Sequence, residues 1–448
     1  MRCSTAELAA HLGAELVGPD VGIEGASIDS RTIGRGQLYV PIVARRDGHA
    51  FIGAARRAGS PAYLTSREPV GGTAIRVGDT AVALLGLGAF ARGRVGGAIG
   101  ITGSVGKTTT KDLLAGCLAS TFPIAASARS FNNELGLPLT LLNAPDAARW
   151  VVLEMGIRRA GDIERLVEVA HPEVGVVTSV AKAHLQSLGD LDGVARAKGE
   201  LVAALPRSGI AVLNFDDPRV RAMASCSACP VLGYAVGADA DVRADDVTLD
   251  RELHARFRMS SPWGRVEIRL EVRGVHQVAN SLAAATVALW CGVPLEQVAA
   301  ALTATRGSPL RMEVRHVPGG PALIVDCYNA NPASTEAALR ALATLPGERK
   351  LALLGLMAEL GTETQVEHRR IALVADQLGI EIVGYETALY GEAQVTGIDE
   401  AVALLRTIGR GDAALVKGSL VVRLEEVVRA YGVVETPAPA SSRTGAGA

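Results

Sequence analysis

Gly100-Ile101-Thr102-Gly103-Ser104-Val105-Gly106-Lys107-Thr108-Thr109-Thr110 constrains the fold of this chain more than any other stretch. The run from Val95 to Ile101 is apolar and glycine-rich and reads as a short strand. The glycines turn it, and Lys111 to Leu118 reads as a helix. A strand, a glycine turn and a helix in that order make a phosphate loop. Glycines let backbone N–H groups close around phosphate oxygens, and the helix N-terminus adds a positive field. Lys107 would reach the terminal phosphates, and Thr108 is placed to ligate Mg²⁺. The expected ATP contacts here are Gly103, Ser104, Val105, Gly106, Lys107, Thr108 and Thr109. The spacing is the short Gly-x-x-Gly-Lys-Thr, and the plain alternative is a glycine turn with an exposed lysine.

A chain of 448 residues is too long for one ordinary core, so two or three domains are expected. At 48% hydrophobic and 21% charged it is globular, and with aromatics at 4% its core must be aliphatic. A net charge of −2 with no basic block argues against nucleic acid as a partner. Cys226 and Cys229 form a lone C-x-x-C; with no second pair they read as two ordinary thiols rather than half a zinc site. The cysteine usage fits a reducing cytoplasm. No signal-peptide pattern is present, and no uninterrupted apolar run reaches the roughly 18 residues of a membrane span. A cytoplasmic protein without membrane insertion is expected.

The pattern along the chain predicts an α/β protein of three domains. Residues 1–94 read as a small α/β unit, with Ser4 and Glu7 spaced as a capping box before a helix at Thr5 to Leu12. Ser30, Arg31, Asp47 and His49 lie there near element ends, each readable as a turn residue or a ligand contact. Residues 95–306 carry the phosphate loop in a mostly parallel sheet. Trp150 to Gly156 is a near-continuous apolar strand, and Glu154 near its end is a candidate Mg²⁺ ligand, because ligands sit beyond the carboxyl ends of parallel strands. His184 follows the strand Val174 to Val180. The loop Ser130 to Pro138, with Asn132 and Asn133, either contacts a ligand or bonds to itself. Lys198 lies in a helix from Asp192 to Leu205 and, read bare, is a surface lysine. Arg265 to Glu271 alternates as an antiparallel strand with Val266, Ile268 and Leu270 on one face. Residues 307–435 alternate strands and helices again, with Ser334 expected to cap a helix at Glu336 to Leu342. Residues 436–448 read as a disordered tail.

Together these segments resemble the Mur ligase family of ATP-dependent amide-forming enzymes in peptidoglycan synthesis. The resemblance covers about residues 25–430. It rests on Thr102 to Thr110, on Phe131-Asn132-Asn133-Glu134-Leu135-Gly136-Leu137-Pro138-Leu139-Thr140, and on Tyr328-Asn329-Ala330-Asn331-Pro332. Ala358-Glu359-Leu360-Gly361 and Lys417-Gly418-Ser419 support it. The family implies an N-terminal domain for the UDP end of the substrate, a central P-loop ATPase and a C-terminal Rossmann-like domain. It implies ATP, two Mg²⁺ sites, and a UDP-linked muramyl peptide and D-alanyl-D-alanine as partners; a monomer is expected, though no motif reads out the oligomeric state. By the same resemblance Thr108, Glu154 and His184 bind metal, and Lys198 is the carbamylated lysine of the second site, against its bare reading. Lys107 and Arg311 act on the transferred phosphoryl group, Asn280 lies near the adenine and Asp326 near the ribose. Ser30, Arg31, Asp47 and His49 match the UDP-binding domain; Asn132 and Asn133 lie in a matching motif, and Asn329 and Asn331 in the loop associated with ATP and the dipeptide.

The chain departs from the family pattern at Gln277, where asparagine is usual, at Leu356, where a carboxylate is usual, and at Leu420, where an arginine is usual. The last two read as one paired loss of acid and base. A ligase with a different amine and carboxylate, and a nucleotide-binding protein without catalysis, are therefore the competing expectations.

Overall fold

The computed structural model describes residues 1–128 and 131–432. Ser130 and the tail expected at 436–448 lie outside the described residues. The chain divides into two compact units: residues 1–309 with 332–337 and 359–364, and residues 310–331 with 338–358 and the chain from 365 onward.

The first unit is built on a nine-stranded sheet. From one edge its strands run Gly264–Arg273, His254–Ser261, Val242–Leu249, Val231–Ala235, Ile210–Asn214, Val174–Val177, Ala98–Thr102, Trp150–Glu154 and Ile124–Ala126. The last six of these are parallel to one another, while the first three pair antiparallel among themselves. The parallel strands have helices on both faces, which is why they read as unbroken apolar runs. The antiparallel edge keeps the expected alternation: Ile268 and Leu270 are buried and Val266 is half-buried, while Arg265, Glu267 and Arg269 face solvent. Ala98–Thr102 is fully buried between Trp150–Glu154 and Val174–Val177. Its register sets Ile101 opposite Glu154 and Thr102 opposite Val177, so three strand ends meet at the glycine turn.

The helix after the turn spans Lys107–Ala119, one turn earlier than its apolar pattern suggests. Three threonines start it despite their modest helix propensity, because Thr108, Thr109 and Thr110 are buried. It packs in one core with the alanine-rich helix Gln277–Trp290, through Leu113, Leu114, Leu282 and Ala285 among others.

A five-stranded sheet at the start of the chain has the order Glu15–Val17, Thr73–Arg76, Ala62–Thr65, Leu38–Tyr39 and Ala26–Ser27. The helix Thr5–Leu12 carries the expected capping box, with Ser4 and Glu7 each bonded to the other's backbone N–H. A helix at Thr80–Arg92, capped by Asp79, was not legible because its residues are apolar on nearly every side. Its Leu84 and Leu87 share a core with Leu64 and Ile75 of the small sheet, with Leu153 of the large one and with Leu141 of the helix Gly136–Leu142.

The second unit is a six-stranded sheet in the order Glu313–His316, Ala322–Asp326, Ala413–Lys417, Lys350–Leu354, Glu381–Tyr385 and Gln394–Val395, parallel throughout except for the first strand. The helix expected from Glu336 begins at Pro332, so Ser334 lies in its first turn and is not its cap. Proline suits that start, since its fixed φ is helical and its missing N–H has no intrahelical acceptor there.

Candidate active site

The phosphate loop is held open by two glycines at left-handed backbone angles. Gly103 has φ +152°, and a Cβ there would lie 1.8 Å from Thr178 Oγ1. Gly106 has φ +91°, and a Cβ there would lie 2.2 Å from Asn280 Oδ1. The Thr178–Ser179 segment braces the loop from the neighbouring strand end. Ser104 N–H donates to Ser179 O at 2.9 Å, Val105 N–H to Ser179 Oγ at 3.0 Å, and Thr178 Oγ1 to Val105 O at 2.6 Å. The amides of Ser104 and Val105 are thus engaged within the loop. Those of Lys107, Thr108 and Thr109 precede the first intrahelical bond, from Thr110 N–H to Gly106 O, and present the helix's positive end. Lys107 Nζ folds back to Gly103 O at 2.7 Å, which places its charge at the loop mouth. Thr102 Oγ1, at the strand end, is buried without a hydrogen-bond partner.

Glu154 stands beside that helix N-terminus with both oxygens engaged. Oε2 accepts from Thr108 Oγ1 at 2.8 Å and Oε1 from Asn132 Nδ2 at 3.1 Å, in a residue 1% exposed. The structure therefore joins Thr108, Glu154 and Asn132 directly. The two asparagines of the loop divide the alternatives between them. Asn132 faces the carboxylate, whereas Asn133 is a turn residue whose Oδ1 caps the N–H groups of Leu135 and Gly136.

His184 has φ +56° at the start of a short helix and sits 2.6 Å, through Nδ1, from Glu359 Oε2. Both residues belong to the first compact unit. That pairing turns Nδ1 toward the carboxylate and Nε2 away from it, the orientation of carboxylate-held metal-ligating histidines. The His184 hydrogen bond also holds the Glu359 carboxyl below the usual carboxylate range. Lys198 is the clearest correction to its bare sequence reading: it is 1% exposed, on the same helix face as Val194, Leu201 and Val202. Burial first, and then the charge of Lys107, drive its pKa well below that of an ordinary lysine. The spacing from Val194 to Lys198 and on to Leu201 and Val202 was the signal that could have placed it on the inner face.

Asn280 is buried beneath the phosphate loop. Its Oδ1 accepts from Thr110 Oγ1 at 3.4 Å and its Nδ2 donates to Gln277 Oε1 at 2.7 Å, so the longer amide at 277 serves to hold Asn280.

In the N-terminal region Arg31 bonds to Asp29, and Asp47 bonds to His49. Arg31 donates to both oxygens of Asp29, at 2.9 and 2.7 Å, which draws the Asp29 carboxyl down to about 2. Asp47 caps the turn at Gly48–Phe51 and pairs with Arg67 and with His49 Nδ1. His49 Nε2 accepts from Ser66 N–H at 3.2 Å, so both its ring nitrogens are satisfied.

In the second unit Asp326 ends its strand paired with the buried Lys417, Nζ to Oδ2 at 2.5 Å, and Lys417 also donates to Asn329 O at 3.0 Å. Asn329 Oδ1 accepts from Ala330 N–H, and Asn331 is buried. Arg311 lies over the Tyr328 ring, 4.2 Å from its centre. Ser419 stitches three strand-end loops together. Its N–H donates to Leu356 O at 3.0 Å, and its Oγ accepts from Ala358 N–H and donates to Ala330 O. The apolar replacements Leu356 and Leu420 therefore fall on adjoining loops, with Leu420 about half exposed.

Sequence reasoning missed the braces: Ser127, Lys111 and Ser179 around the loop, and Glu359 behind His184. Each acts through a contact between segments distant in the chain. Cys226 and Cys229 are both free thiols. Among the described residues, no helix is long and apolar enough to cross a membrane.

Residues 101–288 match the Mur ligase middle domain, and residues 310–420 match the family described as Mur ligase, glutamate ligase domain. A UDP-N-acetylmuramoyl-tripeptide–D-alanyl-D-alanine ligase of Mycobacterium bovis is 40% identical over 86% of this chain and 85% of its own length. A ligase of the same name from Escherichia coli is 32% identical over 94% of this chain and 96% of its own. Among solved structures, MurF from Acinetobacter baumannii superposes with a TM-score of 0.87 at 26% identity, covering 96% of this chain and 99% of that one. The MurF ligase of Thermotoga maritima in complex with ADP gives 0.80 at 27% identity, covering 91% and 97%.

Proposed function

The chain belongs to the Mur ligase family, and from that premise we propose that it is an ATP-dependent ligase joining D-alanyl-D-alanine to UDP-N-acetylmuramoyl-tripeptide for peptidoglycan synthesis. The observation that carries this reading is the likeness, along 86% of the chain, to a ligase of that name. In this reading residues 1–94 take the UDP end, 95–306 hold ATP and 307–435 handle the dipeptide, in a cytoplasmic monomer.

The chemistry assigns each group a task. The tripeptide carboxylate attacks the terminal phosphorus of ATP, the bond to ADP breaks, and an acyl phosphate forms. The dipeptide amine then attacks the acyl carbon and phosphate leaves. Little acid–base work is needed, so the protein contributes positioning and positive charge. Lys107 and the amides of Lys107 to Thr109 hold the transferred group. Asn132 keeps Glu154 turned toward Thr108.

Mg²⁺ suits the donors present. The hard oxygens of Thr108 and Glu154 converge at 2.8 Å, and Glu359 orients the His184 ring through Nδ1. Thr108 and Glu154 would hold one ion, and His184 with a carbamate on Lys198 a second; the ions would offset phosphate charge. Lys198 supports the carbamate because burial favours its neutral amine. That nitrogen bonds the carbon of CO₂ and releases a proton to solvent, leaving an anionic oxygen donor.

ADP release tests the function, measured with ATP, Mg²⁺ and the UDP-tripeptide, with and without D-alanyl-D-alanine, and with the product identified by mass. A dipeptide-dependent rise with the ligated mass is expected. Because Leu356 and Leu420 fall on adjoining loops, a second reading is the same chemistry with another amine. ATP binding without dipeptide dependence would favour it and reject the first. Carbon-13 NMR of protein equilibrated with labelled bicarbonate is expected to show a carbamate signal that Lys198→Met abolishes, and light scattering checks the monomer.

A further inference from the structure

Lys111 buries an ammonium group that the phosphate chemistry does not use. It follows Lys107 by one helical turn, and its side chain is 5% exposed. Its Nζ donates to Ser127 O at 2.8 Å and pairs with Asp112 Oδ1 at 2.9 Å. Ser127 is itself buried and fixed to the sheet, with its N–H on Val152 O at 2.9 Å. Its Oγ accepts the N–H of Glu154 at 3.2 Å. Glu154 closes the circuit by accepting from Thr108 Oγ1, on the helix that carries Lys111. The ring thus runs from one helix through Ser127 and Glu154 and back to the same helix, pinning Glu154 through its backbone on one side and its carboxylate on the other.

A buried lysine is an expensive way to fill space, since desolvating its charge costs more than burying an apolar chain of similar size. What it gains here is a charge-assisted bond to a backbone carbonyl, stronger than a neutral one. That bond fixes the segment that carries Ser127.

We propose that Lys111 and Ser127 are positioning residues that hold the Glu154 carboxylate against Thr108 for the cation that accompanies ATP. The proposal rests on the reading of Thr108 and Glu154 as cation donors. Glu154 can keep Oε2 on Thr108 and Oε1 on Asn132 at once only while its backbone is fixed. Ser127 supplies that restraint, and Lys111 keeps Ser127 in place.

The test is calorimetric titration of the full chain with ADP, with and without Mg²⁺, in the wild type, Ser127→Ala, Ser127→Thr, Lys111→Met and Glu154→Gln. The readout is the ratio of the two affinities, which a purely structural role would not move. Ser127→Ala and Lys111→Met are expected to lower the Mg²⁺-dependent gain about three- to tenfold, the range of one ordinary hydrogen bond. Metal-free ADP affinity stays unchanged, and Ser127→Thr, which keeps the hydroxyl, holds the native ratio. If Glu154→Gln abolishes the gain while Ser127→Ala leaves it intact, the positioning role is overturned. If Glu154→Gln itself leaves the gain intact, the donor reading fails and takes the proposal with it. Should Lys111→Met not fold, Ser127→Ala decides alone.

Discussion

Gly106 is a residue at which the site leaves no room for a side chain. Its left-handed φ already costs a non-glycine residue about 1–2 kcal/mol, and an added methyl would meet Asn280 Oδ1 at 2.2 Å. Gly106→Ala is therefore expected to weaken ADP binding by at least about tenfold, which isothermal titration would read. A second residue-scale consequence concerns acid. The Arg31 hydrogen bonds hold the folded Asp29 carboxyl at about 2, below its ordinary 3.8. Between those values the unfolded chain binds more protons, so stability rises with pH there. The contribution of this pair is complete above the ordinary value and is lost as pH falls through about 2. Asp29→Asn should flatten that acid limb in urea titrations taken across low pH; an unchanged limb would remove the pair from the account. At this scale the sequence was read well where a residue's role is local. The turn glycines, the Ser4–Glu7 cap and the strand-end Glu154 all declared themselves by spacing. Lys198 did not, because bare pattern treats a lysine as solvent-seeking, and its burial depends on a tertiary space behind the loop.

At the scale of elements, parallel strands were legible because burial on both faces leaves an unbroken apolar run. Their ends were legible because polar residues begin there. The helix Thr80–Arg92 escaped for the opposite reason: shared between two sheets, it lacks a polar face to give it a period. The loop before Gly136–Leu142 could be located from composition but not interpreted. Its two asparagines divide the work, Asn133 closing the helix start and Asn132 reaching Glu154. Asn133→Ala is expected to cost about 1 kcal/mol in a denaturant titration, the usual value of a helix cap. It should also loosen Asn132, so ADP affinity in Mg²⁺ should fall with it. Stability lost with full nucleotide affinity would mean that the cap and the carboxylate contact are independent.

For the whole molecule, the division into two compact units has a thermodynamic signature. The phosphate loop, Glu154 and Lys198 all lie in the first unit, while Asp326 and Lys417 lie in the second. Scanning calorimetry is expected to show two transitions. ADP with Mg²⁺ at a hundredfold excess over its Kd should stabilise the unit that holds the phosphate loop by about 2.7 kcal/mol. A first-unit transition that ADP leaves unmoved would refute nucleotide binding at that loop. The order of strands also bears on how the protein is made. Ala98–Thr102 leaves the ribosome before either of its neighbours exists, since both Trp150–Glu154 and Val174–Val177 are translated after it. Thr178 and Ser179, which tie down the glycine turn, come later still. A nascent chain halted short of Ser179 therefore carries the complete glycine–lysine motif in its sequence and has no means of shaping it into a nucleotide pocket.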